Sequence, residues 1–287
     1  MPFSRRALLQ GALGGAATLA LGASKSEAAE SVTAPYGPFK MGIQSYSLRH
    51  FNLDEALDIT QQLGLHYWEG FMSHIPLTND AQQIASFKQK LAAHNIRMLA
   101  YGVVGFSNNE AEARRIFEFA KSMDIPVLSA YPAPDSLPLL DRLTREYRIA
   151  IAIHNHGPGD TLYGHPDQVL KAVAGRNPLV GACEDTGHMI MAKEDPVAAE
   201  VRYGKRLLDV HLKAAKVSPN GGREFADIGD PDSLLDTIGF LDILLRLRYN
   251  RLVALEYELH ESDPVPSIQS CLESVRHAWA LLQTVVA

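Results

Sequence analysis

Only two cysteines, Cys183 and Cys271, occur in 287 residues, too few for a disulfide framework, so the fold must be held by its own apolar core. Cys183 sits in an apolar run and reads as a buried free thiol. Basic residues are not in excess: 27 Lys and Arg stand against 33 Asp and Glu, a formal net charge of −6. That balance removes the electrostatic footprint of a protein that binds nucleic acid or an anionic membrane surface. No Gly-x-Gly-x-x-Gly follows a strand, which argues against oxidation by a dinucleotide held on this chain. An Arg cluster and a Gly-rich phosphate loop are both lacking, so a phosphorylated substrate is not expected. What the chain does have is an ordinary globular composition, 46% apolar and 21% charged, enough to bury a large core in one domain.

The first residues set themselves apart. Ser4-Arg5-Arg6-Ala7-Leu8-Leu9 places an arginine pair before a modest apolar stretch from Ala7 to Ala23, followed by the small pair Ala28-Ala29. This is the pattern of a twin-arginine export signal. Gly11, Gly14, Gly15, Thr18 and Gly22 make the stretch too weakly apolar to span a bilayer core of about 30 Å. We therefore expect a signal at residues 1–29, a linker at 30–38 and one domain at 39–287, with the mature protein periplasmic or otherwise exported and free of the membrane.

From Phe39 onward, short apolar runs rich in β-branched and aromatic residues alternate with longer amphipathic stretches, as repeated βα units require. Strands are expected at Lys40 to Tyr46, His66 to Gly70, Ile96 to Tyr101, Val127 to Ala130, Ile149 to His154, Leu179 to Cys183, Leu207 to His211 and Leu252 to Glu256. Eight strands close a barrel, and the length matches a single (β/α)8 TIM barrel of the α/β class. Helices are expected at Asn52 to Leu63, Asp80 to His94, Glu110 to Met123, Leu137 to Tyr147, His165 to Ala174, Pro196 to Tyr203, Asp232 to Leu247 and Pro264 to Val286. The first shows the logic: Leu53, Ala56, Leu57, Thr60 and Leu63 trace one face, and Gly64 stops it. Pro219 to Pro231, containing Asn220-Gly221-Gly222, reads as the longest irregular loop and as a lid over the site.

Such barrels place their chemistry at the carboxyl ends of the strands. Four successive strands end on ionisable groups: His154-Asn155-His156, then Glu184-Asp185-Thr186-Gly187-His188, then His211-Leu212-Lys213, then Glu256-Tyr257-Glu258. Side chains so crowded together are costly to bury without a compensating positive charge, and a divalent cation supplies one. Alternation along the strands turns Glu184 and Glu258 away from the site on this reading.

The order of these motifs, with Gly42-Ile43-Gln44-Ser45-Tyr46-Ser47 on the first strand and Trp68-Glu69-Gly70 on the second, resembles the xylose isomerase-like barrels. That superfamily includes sugar phosphate isomerases and epimerases and also endonuclease IV, and the resemblance spans the chain from Phe39. It implies one divalent metal held by His154, Asp185, His211 and Glu256. The family usually carries Glu where this chain has His154, so of the two glutamates that act as its acid/base pair only Glu256 is retained. Two imidazoles with two carboxylates suit a transition metal, Mn or Zn first. Around them we expect Glu256, His156 and Lys213 as catalytic groups, Lys213 stabilising an oxyanion, and Gln44, Glu69, His74 and His188 as substrate contacts.

These residues imply proton abstraction next to a carbonyl of a carbohydrate, through an enediolate. Isomerisation, epimerisation and β-elimination all begin there. The resemblance also extends to exported proteins acting on 3-keto-glycosides, for which a separate oxidoreductase would supply the keto sugar. A homodimer is compatible with the fold class. Hydrolysis in the manner of endonuclease IV would need more metals and a basic face, and a non-catalytic carbohydrate-binding barrel would need no metal.

Overall fold

The computed structural model describes residues 35–286; the expected signal, and the linker as far as residue 34, lie outside the described residues. Eight parallel strands close a barrel in the order β1-β10-β7-β6-β5-β4-β3-β2. They are β1 (Lys40–Gln44), β2 (Tyr67–Gly70), β3 (Arg97–Phe106), β4 (Val127–Pro132), β5 (Ala150–His154), β6 (Val180–Asp185), β7 (Leu207–Leu212) and β10 (Leu252–Leu255). The fold is thus the single (β/α)8 TIM barrel that the βα alternation requires. Among the described residues no helix is long and apolar enough to cross a membrane.

Helices α1 (Leu53–Gln62), α2 (Ala81–Ala93), α3 (Glu110–Ser122), α4 (Leu137–Tyr147), α5 (Pro166–Val173), α6 (Thr186–Met191), α7 (Pro196–Tyr203), α8 (Thr237–Arg246) and α9 (Val265–Val286) follow or flank the strands. Their starts are chemically marked. In α1 the Asn52 side chain accepts from Glu55 N at 3.1 Å while the Glu55 carboxylate accepts from Asn52 N at 2.9 Å, a reciprocal cap that satisfies two otherwise orphaned donors. Asp80, Asn109 and Asp195 cap α2, α3 and α7 in the simpler one-way form.

Two apolar clusters result. The larger packs the strands against the helices, with Trp68, Phe117, Phe119 and Phe240 among its buried side chains. The smaller collects Ala100, Val127, Ala150, Ala152, Cys183, Leu208, Leu252 and Ala254. Ala150 and Ala152 share a side of β5 with His154, and Leu252 and Ala254 share a side of β10 with the following Glu256, because side chains alternate along a strand. Small residues therefore fill the barrel axis and a polar layer crowns it. Both cysteines are buried free thiols.

Four local departures from the sequence expectation matter for the site. β1 stops at Gln44, whose side-chain oxygen accepts from Tyr46 N at 2.8 Å and bends the chain into a 3-10 turn over Ser45–Leu48. β3 runs on to Phe106, with a register shift against β4 between Tyr101 and Val104. The short helix α6 grows directly from the end of β6. Finally, the stretch read as an irregular loop, Pro219 to Pro231, contains a strand, β9 (Arg223–Ala226), which pairs as an antiparallel hairpin with β8 (Ala214–Val217) just before it. Its turn is closed by Ser218 N donating to Gly222 O at 3.0 Å, and Gly221 takes the positive φ of +81° that the turn requires.

Candidate active site

Pairing register gathers the polar layer. Asp185 on β6 stands opposite His211 on β7, His154 on β5 is paired with Cys183 on β6, and Glu256 extends the β10–β7 ladder by donating its N–H to Leu212 O at 3.1 Å. As a result His154, Asp185, His211 and Glu256, all buried, bring one donor atom each within 4.8 Å of one another. His154 Nε2 lies 3.1 Å from His211 Nδ1 and 3.5 Å from Asp185 Oδ2; His211 Nδ1 lies 3.1 Å from Glu256 Oε2 and 4.0 Å from Asp185 Oδ2. Ligands about 2.1 Å from a tetrahedral ion stand about 3.4 Å apart, so these edges fit a transition-metal centre. Asp185 Oδ2 and Glu256 Oε2 are moreover buried and turned toward the cluster, each with the Lys213 ammonium beside it.

Two of the four, Asp185 and His211, are braced from behind. Asp185 Oδ1 accepts from His188 N at 2.7 Å and caps α6, which leaves Oδ2 for the centre. Asn155, fully buried, bridges β5 to β6 in both directions: its Nδ2 donates to Asp185 O at 3.0 Å and its Oδ1 accepts from Asp185 N at 2.8 Å. Thr186 does the same between β6 and β7, giving its hydroxyl proton to Lys213 O at 2.6 Å and accepting from Lys213 N at 2.9 Å. His211 Nε2 lies 2.8 Å from Glu69 Oε2.

Lys213 is brought to the site, but as the hub of an ion-pair network. Its ammonium lies 3.1 Å from Asp185 Oδ2 and 3.0 Å from Glu256 Oε2, and also pairs with Glu258. Burial works against its charge, yet Asp185, Glu256 and Glu258 outweigh burial and raise its pKa. Burial likewise pushes Glu256 upward, but the Lys213 ammonium and the His211 ring win and hold it at about 2. Burial drives the His154 ring down to about 3, so it is a neutral imidazole with a lone pair to give.

Above this layer opens a cavity of about 400 Å³, inside the roughly 300–1,000 Å³ range of small-molecule sites. His154, His156, His188, Glu256 and Glu258 form its polar wall, and Tyr46, Phe71 and Val103 its apolar one. The His156 ring stands edge-on to Tyr131 at 4.9 Å and 5.5 Å from His188, and burial, reinforced by His188, lowers its pKa. Phe225 of the hairpin packs 5.3 Å from the His188 ring and lies under the Lys213 ammonium at 4.8 Å. The hairpin therefore packs Phe225 against two side chains of the site.

Two expected substrate contacts are not brought to the cavity. His74 is buried, with Nε2 3.2 Å from the carbonyls of both Leu48 and Phe51, so its ring pins the 3-10 turn. Glu69 is fully buried, beneath the donor layer and against His211. Gln44 lines the cavity, but its amide is committed inward: Nε2 donates to Gly102 O at 2.9 Å and to Glu69 Oε1 at 3.4 Å. Glu258 corrects the reading in the other direction, because it stands two residues beyond Glu256 in extended chain and so shares its side. Glu184 does turn away. It is buried with both carboxylate oxygens unpartnered, as are those of Glu200 on α7; burial pushes both upward, Glu200 to about 9.

The chain matches the family model described as xylose isomerase-like TIM barrel over residues 57–278. No curated protein matched it. Among solved structures, a putative uncharacterized protein from Parabacteroides distasonis is similar at 28% identity, TM-score 0.65, covering 84% of this chain and 99% of that one. The IolI protein with a bound zinc atom is similar at 18% identity, TM-score 0.65, over 84% and 99%. The D-psicose 3-epimerase from Clostridium cellulolyticum H10, solved with D-tagatose, is similar at 15% identity, TM-score 0.62, over 86% and 99%. With the family model covering most of its length, this chain belongs to the xylose isomerase-like TIM barrels.

Proposed function

We propose that this protein is a metal-dependent enzyme of the sugar isomerase/epimerase type that abstracts a proton next to a carbonyl of a non-phosphorylated sugar or keto sugar. The observation that carries this reading is the convergence of two imidazole nitrogens and two carboxylate oxygens, all buried, on one point at the floor of the cavity. Solved barrels of similar fold include one with a bound zinc atom and a D-psicose 3-epimerase. A divalent ion held by His154, Asp185, His211 and Glu256 would supply Lewis acidity to the neighbouring oxygens of a hydroxy ketone; Mn and Zn suit this donor set.

The chain's own groups do the rest. Glu256, ionised at any physiological pH, is in the form that accepts a proton. Its strand β10 lies three places from β5 around the eight-stranded ring, so His156 meets a substrate from another side. A neutral imidazole both takes and gives a proton near neutral pH, and His156 or His188 would return one where a second carboxylate is lacking. The cation at the site, Lys213, is paired with three carboxylates, and this favours an uncharged substrate over a sugar phosphate. The Arg5-Arg6 pair and the apolar stretch after it support, as part of the same reading, an exported protein.

A second outcome is favoured by the imidazole wall. On a 3-keto-glycoside, Glu256 would remove the proton from the carbon next to the carbonyl, that electron pair would form a double bond to the neighbouring carbon as its bond to the glycosidic oxygen breaks, and His156 would protonate the departing oxygen. Elemental analysis of the purified wild type should give about one transition metal per chain, lost in the His154→Ala, Asp185→Ala double variant. Glu256→Gln should keep most of the metal while losing deuterium exchange into keto sugars in D2O by about a hundredfold or more. Full exchange in that variant removes Glu256 from the base role, and a released aglycone distinguishes elimination from epimerisation.

A further inference from the structure

We propose that Glu69 is a positioning residue that fixes the tautomer of His211, holding its Nδ1 bare toward the donor cluster. The inference rests on the metal-site reading above. His211 has partners on both ring nitrogens, on opposite sides. Nε2 lies 2.8 Å from Glu69 Oε2, whereas Nδ1 faces His154 Nε2 and Glu256 Oε2, each at 3.1 Å. Both ring nitrogens face a carboxylate, which only accepts, but the two sides differ: Nδ1 points into the donor cluster, where a divalent ion would take the place of a proton, whereas Nε2 against Glu69 keeps its own. The lone pair is thereby left on Nδ1, the nitrogen that a metal would use. A carboxylate behind a ligating imidazole also raises its basicity and locks the ring plane.

The surroundings of Glu69 suit that task, with Asp209 also close by. Glu69 is fully buried, so neither water nor substrate competes for its oxygens. Its second oxygen lies 3.4 Å from Gln44 Nε2, the neighbour across the β1–β2 pairing. Gln44 is anchored in turn by Gly102 O at 2.9 Å and Tyr46 N at 2.8 Å. The other imidazole of the cluster lacks such support: His154 Nδ1 is buried with no partner. The Trp68-Glu69-Gly70 motif thus acts on the site through His211, without touching substrate.

Zinc affinity of the full chain, measured by competition with a chromophoric chelator, tests this in the wild type, Glu69→Gln and Glu69→Ala. Glu69→Ala should bind zinc about 10–100-fold more weakly. Glu69→Gln should fall between, because an amide oxygen still accepts the Nε2 proton but carries no charge. In zinc-loaded wild type with 15N-labelled histidine, long-range proton–nitrogen correlations should show His211 protonated on Nε2 and zinc-shifted at Nδ1. Unchanged affinity in a folded Glu69→Ala, or a proton on Nδ1, overturns the inference. So does a second zinc equivalent lost on substitution, which would make Glu69 a ligand together with Asp209 and His211, whose donor atoms also lie within 4.8 Å of one another. If Glu69→Ala fails to fold, the wild-type spectrum decides. A wild type that binds no zinc overturns both this inference and the metal-site reading, whereas a wild type that binds beside an unaffected Glu69→Ala overturns this inference alone.

Discussion

Glu200→Gln should make this protein more stable at neutral pH, and by an amount that depends on pH in a defined way. Glu200 is fully buried on α7 with neither carboxylate oxygen partnered, and burial, aided by Asp242, lifts its pKa from 4.5 to about 9. Below pH 4.5 the group is protonated in both the folded and unfolded chain and contributes nothing. As pH rises the unfolded chain releases the proton while the folded chain retains it, so folding loses about 1.4 kcal/mol per pH unit. The loss levels off only near pH 9, where the folded group ionises too. At pH 7 this amounts to roughly 3 kcal/mol, an order-of-magnitude figure set by the raised pKa. Glutamine keeps the shape without the titration. Thermal melts of wild type and Glu200→Gln should nearly coincide at pH 4.5 and diverge by on the order of 6–10 °C at pH 7. A gap that does not change between those pH values would refute the reasoning, as would a variant less stable throughout.

Two further outcomes bear on the site. Zinc added at a hundred times its dissociation constant should stabilise the wild type by about 2.7 kcal/mol, a rise in melting temperature on the order of 5–10 °C; the His154→Ala, Asp185→Ala variant should show none. Asn155→Ala should cost roughly 2–4 kcal/mol, because it strands both the N–H and the carbonyl of Asp185 in a buried place, and zinc affinity should fall with it; a denaturant midpoint equal to wild type would remove Asn155 from that bracing role.

The barrel was legible because its alternation is dense: runs such as Ile149 to His154 and Leu252 to Glu256 cannot be confused with the amphipathic stretches between them, and Gly64 ends α1 where a left-handed residue is needed. The donor cluster was legible because its members end consecutive strands. What escaped has a different physical origin. Glu69 and His74 lie near a strand end as surely as His154 does, but whether such a side chain faces the cavity or the underlying layer depends on register, and the β2–β3 pairing shifts between Trp68 and Glu69. Glu258 was open to correct reading, since it has the parity of Glu256. The hairpin was masked by Asn220-Gly221-Gly222, which reads as loop although it is the turn between two four-residue strands. The apolar wall of Tyr46, Phe71 and Val103 had no signal beyond composition, because aromatic residues just past a strand are as common in cores as in sites.

Asp185 serves two masters. One oxygen begins a helix and the other looks into the cavity, so the start of α6, and with it His188, inherits whatever happens to the charge at the centre. For anyone wishing to redesign this barrel, that makes position 185 the least modular in the molecule. Asparagine there would preserve the helix start and surrender the anion; glutamate would keep the anion and displace the cap. A new chemistry on this scaffold is therefore better sought at His156 or Glu258, whose side chains meet the cavity without also beginning a helix.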